Sequence, residues 1–141
     1  MSALIELASR ISGIEPDRLW RILRFVVVGT GVNLLMIGAI LIMARLGLGY
    51  DLALLVTNAV GLLLNYVLNR SFVFSSRDGV VRTALLYAAV YASVYLLQLV
   101  LYRWLFGLGL PEALGIFVTV GMTAVYAYLM LEKVVFPQRE G

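Results

Sequence analysis

Apolar residues fill four stretches, 25–44, 52–69, 83–102 and 113–131, in which no Asp, Glu, Lys or Arg occurs. Each runs for 18 to 20 residues. At about 1.5 Å of rise per residue that is roughly 27 to 30 Å, the thickness of a bilayer's hydrocarbon core, so each stretch predicts a spanning helix. An open chain in lipid has no other way to satisfy its backbone hydrogen bonds. Ahead of the first stretch, Leu4, Leu7, Ala8, Ile11 and Ile14 recur at helical spacing. A second segment, opening near Pro16 and Asp17, sets Leu19, Trp20, Ile22 and Leu23 against Arg18, Arg21 and Arg24. Both segments read as amphipathic helices lying on the membrane surface among its lipids. The three arginines, three residues apart, fan over about a third of the helix circumference and serve either as an orientation anchor or as a phosphate site.

The pattern predicts an all-α integral membrane fold of four transmembrane helices. A cytoplasmic interfacial segment is expected at 1–24, the membrane domain at 25–136 and a cytoplasmic tail at 137–141. Residues 65–74 align loosely with 127–136, which suggests a parallel two-helix duplication. Charged residues between Glu6 and Arg24 break any apolar core a signal peptide would need, so this segment is expected to be retained.

Composition sharpens the picture. Of 141 residues 62% are hydrophobic and 13% charged, with a mean hydropathy of +0.98, which excludes a water-soluble globule. The absence of Cys and His removes disulfides, thiol nucleophiles, imidazole bases and the usual zinc or haem ligands. No metal, cofactor or nucleic acid is expected. Charge then sets orientation: Arg10, Arg18, Arg21, Arg24, Arg70, Arg77, Arg82, Lys133 and Arg139 flank one side, against Arg45 and Arg103 on the other. Both termini are therefore expected in the cytoplasm, across an inner membrane. The outer connections are too short to form an exported domain.

The polar residues within the spans are the candidate chemistry. Asn58, Gly61, Asn65 and Asn69 recur at helical spacing on the second span, followed by Arg70 at its inner end. Amides ending in a guanidinium suit a lipid phosphate and its sugar hydroxyls, or else serve interhelical hydrogen bonding. On the third span Tyr87, Tyr91, Tyr95, Gln98 and Tyr102 form one stripe, opposite Ala84, Ala88 and Ala92, which favour close helix packing. That stripe faces either a neighbouring helix or a sugar. Asn33 is the polar residue of the first span. No carboxylate lies deep in a span, which argues against a proton-coupled cation exporter. No acid pair, base and nucleophile set or phosphate loop occurs, so the chain is not expected to be an enzyme or to hydrolyse ATP.

The run Arg24, Phe25, Val26, Val27, Val28, Gly29, with Asn33 after it and the motif Asn65, Asn69, Arg70, Phe72, Phe74 closing the second span, resembles the GtrA-like family over about residues 20 to 137. The resemblance implies four spans and a role in cell-surface polysaccharide synthesis, with a polyprenyl-phosphate-linked sugar flipped across the cytoplasmic membrane. An alternative is a non-transporting anchor that recruits a membrane glycosyltransferase. Family members often carry an Asn-rich end on the fourth span. Here Tyr126, Tyr128, Glu132, Lys133 and Phe136 stand in its place, leaving Lys133 as a candidate phosphate cation and weighting the second-span end. The candidate ligand residues are thus Arg70, Asn65, Asn69, Asn58, Arg24, Lys133, Tyr91, Tyr95, Gln98 and Asn33. Four helices enclose little room for a headgroup, so a homodimer or larger assembly is expected.

Overall fold

A computed structural model describes residues 2–138; Arg139 and the end of the proposed tail lie outside the described residues. The chain divides into two compact units between Ser76 and Arg77. Its helices are α1 (Ser2–Ser12), α2 (Pro16–Arg45), α3 (Tyr50–Leu68), α4 (Val80–Gly107) and α5 (Glu112–Met130). Four helical segments, α2, α3, α4 and α5 with their continuations, are long and apolar enough to cross a membrane.

In the first unit, α1 buries none of its side chains; Leu4, Leu7 and Ile11 stay exposed on its apolar face. The second interfacial segment expected at 16–24 is not a separate element. It is the start of α2, which runs unbroken for 30 residues, about 45 Å. Pro16 occupies the first turn, where its missing N–H costs nothing, and no proline or turn follows to end the helix before Arg45. The arginine-bearing turns thus lead without a break into the apolar span.

α2 turns into α3 through Gly47, at φ +85°. Its N–H donates to the Ala44 carbonyl at 3.2 Å, and Leu48 N–H reaches the Met43 carbonyl at 3.1 Å, which closes the helix in a left-handed cap. The hairpin seam buries Val28 and Val32 on α2 and Ala53, Thr57 and Gly61 on α3. Small residues on α3 let the backbones approach. At Gly61 an added Cβ would lie 3.0 Å from Met36 Cγ and 3.3 Å from its Sδ. Gly61→Leu is therefore expected to destabilise the protein by about 1–3 kcal/mol, with Met36→Ala restoring much of the loss. A double-mutant cycle read by detergent-induced unfolding checks this, and additive losses would count against the contact.

The second unit repeats the first in register. α4 turns into α5 through Gly109, at φ +79°, 62 residues after Gly47. Val90 and Val94 are buried as are Val28 and Val32, and Gly115, Thr119 and Thr123 as are Ala53, Thr57 and Gly61. One offset of 62 serves both hairpins from the first buried valine to the last buried phenylalanine, Phe74 and Phe136. The expected duplication is thus present in each hairpin's own packing. The alanine line is not a packing face within the unit: Ala88 and Ala92 are exposed, because Thr83, Tyr87, Val90 and Val94 turn toward α5 instead.

Candidate functional site

Both hairpins close on a π turn. Asn69–Val73 continues α3 and Leu131–Val135 continues α5, at the same offset of 62. The Phe74 N–H bonds the Asn69 carbonyl at 2.9 Å, and the Phe136 N–H bonds the Leu131 carbonyl at 2.7 Å, each five residues back. A π turn admits one extra residue per turn and shifts the side-chain register, a device that recurs at functional sites. Asn69, the last residue held in α register, is buried, and beyond it Val73 and Phe74 are buried while Phe72 is half exposed. In the first unit the chain is then held over Arg70 by a bond from the Ser76 N–H to the Arg70 carbonyl at 2.8 Å. Ser75 between them adopts the left-handed conformation at φ +48°.

Arg24 reaches this turn from α2. Its guanidinium lies 5.2 Å from the centre of the Phe72 ring and donates to the Phe72 carbonyl at 3.3 Å. Such a cation–π contact is worth about 0.5–2 kcal/mol depending on exposure, and it fixes Arg24 beside a residue two positions from Arg70. Arg70 is half buried. Asn69 is 1% exposed; its Nδ2 donates to the Asn65 carbonyl at 2.8 Å, while its Oδ1 accepts no hydrogen bond among the described residues. The π-turn end of the first hairpin thus gathers two guanidinium groups, a buried amide with a spare acceptor, and the half-buried Asn65. Asn58 is not among them. It is exposed, as is Asn33, because α3 packs through the line Ala53, Thr57 and Gly61.

The equivalent turn of the second unit has different chemistry. Leu131 stands where Asn69 does, and Glu132 where Arg70 does. Glu132 is buried and accepts a hydrogen bond from the Tyr128 hydroxyl at 3.2 Å, whereas Lys133 is exposed.

The tyrosine stripe divides. Tyr87 is buried and stacks on Tyr91 at 4.5 Å between ring centres, with Phe136 at 6.5 Å. Gln98 Nε2 donates to Thr123 Oγ1 at 3.2 Å, and Tyr102 lies 3.4 Å from Glu112 Oε1. Ser93 and Tyr126 share a bond of 3.1 Å. Tyr95, by contrast, is 62% exposed. A ladder of three polar contacts therefore crosses the second hairpin from its middle to the end that turns at Gly109. Its equivalents in the first hairpin are apolar: Met36 against Gly61 takes the place of Gln98 against Thr123. Sequence reading singled out Gln98 and overlooked Thr123, Ser93, Tyr126 and the bracing role of Phe72. Extending the alignment of 65–74 with 127–136 backwards at constant offset sets Thr123 and Gln98 opposite Gly61 and Met36, which marks them as polar departures from the first hairpin.

A duplicated two-helix unit, with apolar outer faces and its cations gathered at one end, defines a multi-pass helical membrane protein. The chain belongs to the GtrA/DPMS transmembrane domain family, whose model matches residues 24–136. That membership ties it to lipid-linked sugar processes. No curated protein matches the sequence.

Proposed function

We propose that the protein carries a polyprenyl-phosphate-linked sugar across the cytoplasmic membrane, receiving its phosphate at the inner end of the first hairpin. The observation that carries this reading is the pairing of Arg24, braced on Phe72, with the π turn that holds Asn69 and Arg70. Guanidinium groups offer planar forks of donors to a phosphate, and the spare Asn69 oxygen accepts from a sugar hydroxyl. The excess of cations flanking this end supports a cytoplasmic placement for it. In the second hairpin the ladder offers the hydroxyls of Ser93, Tyr126 and Thr123 and the amide of Gln98 at depths where hydrocarbon offers none, and ends on Tyr102 and Glu112 at the end of the span. This chemistry needs no bond made or broken by the protein, in keeping with a non-enzymatic role.

Reconstitution tests the reading. Liposomes containing the full chain and a labelled polyprenyl-phosphate sugar in one leaflet are expected to expose the label in the other leaflet faster than protein-free liposomes. Binding without any gain in that rate would leave a glycosyltransferase recruiter as the better account.

A further inference from the structure

At the start of α4, Val81, Arg82, Leu85, Leu86 and Val134 wall an open groove of about 640 Å³. Arg82 is the charged residue of this lining and the other four side chains are hydrocarbon, so the wall itself is almost wholly apolar. Val134 enters because the π turn Leu131–Val135 buries Leu131, Glu132 and Val135 and leaves Lys133 and Val134 facing out. Val81 and Leu85 are 74% and 68% exposed, so the groove opens outward from the unit. Arg82 is exposed and makes no hydrogen bond or ion pair among the described residues.

We infer that this groove holds the glycerol end of one acyl chain of an anionic glycerophospholipid, with the lipid's phosphodiester on Arg82. Hydrocarbon walls alone would accept any tail. An exposed arginine at the edge of those walls, in the first turn of a helix that goes on to span the bilayer, selects a tail joined to an anion at the membrane boundary. From Val81 to Leu86 the helix rises about 7.5 Å, a quarter of a hydrocarbon core of about 30 Å, so the groove fits the beginning of a chain rather than its length. A single guanidinium matches the single charge of a phosphodiester, and exposed Lys133, next to Val134, adds to the attractive field. The position equivalent to Arg82 in the first unit is Trp20, so the site is peculiar to the second hairpin. The inference depends on the membrane location of α4 and not on the carrier reading above.

Native mass spectrometry tests it, on the full chain in micelles doped with phosphatidylglycerol and phosphatidylcholine of identical acyl chains. One phosphatidylglycerol per chain is expected to be retained, with about tenfold preference over phosphatidylcholine, and Arg82→Ala is expected to remove that preference. Arg82→Lys should retain part of it, because the charge persists and the fork does not. Leu85→Trp, which fills the groove and keeps the charge, should lower retention of phosphatidylglycerol. Arg70→Ala should leave retention unchanged, which separates this site from the carrier site. Equal retention of both lipids, or an Arg82→Ala protein that keeps its preference, overturns the inference. So does displacement of the lipid by glycerol 1-phosphate alone, which would make Arg82 a site for a free phosphate.

Discussion

Replacing Arg70 with alanine is expected to weaken binding of the polyprenyl-phosphate sugar about 10- to 150-fold, the equivalent of one charge-assisted contact of roughly 1.5–3 kcal/mol. Arg70 is half buried on a π turn whose backbone is pinned by bonds from Phe74 and Ser76, so its guanidinium begins from a constrained position. Little ordering is then left for the ligand to impose. Arg70→Lys should bind more tightly than the alanine variant and less tightly than the native protein, since lysine keeps the charge and loses the fork. If Arg70 serves only to orient the chain, both variants bind as the native protein does, because eight inner cations remain to fix topology. Titration of folded, correctly oriented variants with the lipid decides the matter, and an unchanged Kd for Arg70→Ala would remove the residue from the site.

Asn69→Leu is expected to move stability and binding in opposite directions. The Asn69 side chain is almost wholly buried, with its Oδ1 unsatisfied among the described residues, a condition that costs about 1–3 kcal/mol. Its Nδ2 bond to the Asn65 carbonyl is dispensable, because the Asn69 backbone N–H bonds the same oxygen. Leucine is nearly isosteric and already occupies the equivalent buried position, Leu131, in the second π turn. The variant should therefore gain about 1–2 kcal/mol in detergent-induced unfolding, the relief of the orphan oxygen less the lost side-chain bond. It should also lose affinity for the lipid-linked sugar. A stability–function conflict of this kind marks a polar group retained for a ligand. A loss of stability would assign Asn69 a purely structural role.

The fold was legible because hydrocarbon constrains it so strongly. Four charge-free stretches have one solution each, although the helices run past the charges that bound them, α2 opening at Pro16 and α4 continuing to Gly107. The two helices at the amino terminus were harder, since amphipathic spacing says that a face exists and not whether the helix stops. Only the uninterrupted backbone from Pro16 to Arg45 joined the second of them to the span. The duplication was plainest at 65–74 and 127–136; elsewhere identities such as Val28 with Val90 and Gly47 with Gly109 are scattered among equivalents, such as Met36 with Gln98 or Gly61 with Thr123, that share a position and not a chemistry.

By itself, then, the sequence determined the number of spans, the excess of cations on one side and the identity of the polar residues able to meet a phosphate, all properties of composition along a line. The tertiary structure decided which of those residues converge. Spacing of three and four put Asn58, Asn65 and Asn69 on one ideal helical face, yet the α3 seam runs along Ala53, Thr57 and Gly61, and the π turn that starts at Asn69 re-aims the residues after it. Asn58 was thereby left exposed, Asn69 buried, and Phe72 placed under Arg24. The physical reason is that a π turn adds one residue to one turn of helix, a backbone choice set by packing at the hairpin end and not by the periodicity of the residues that flank it.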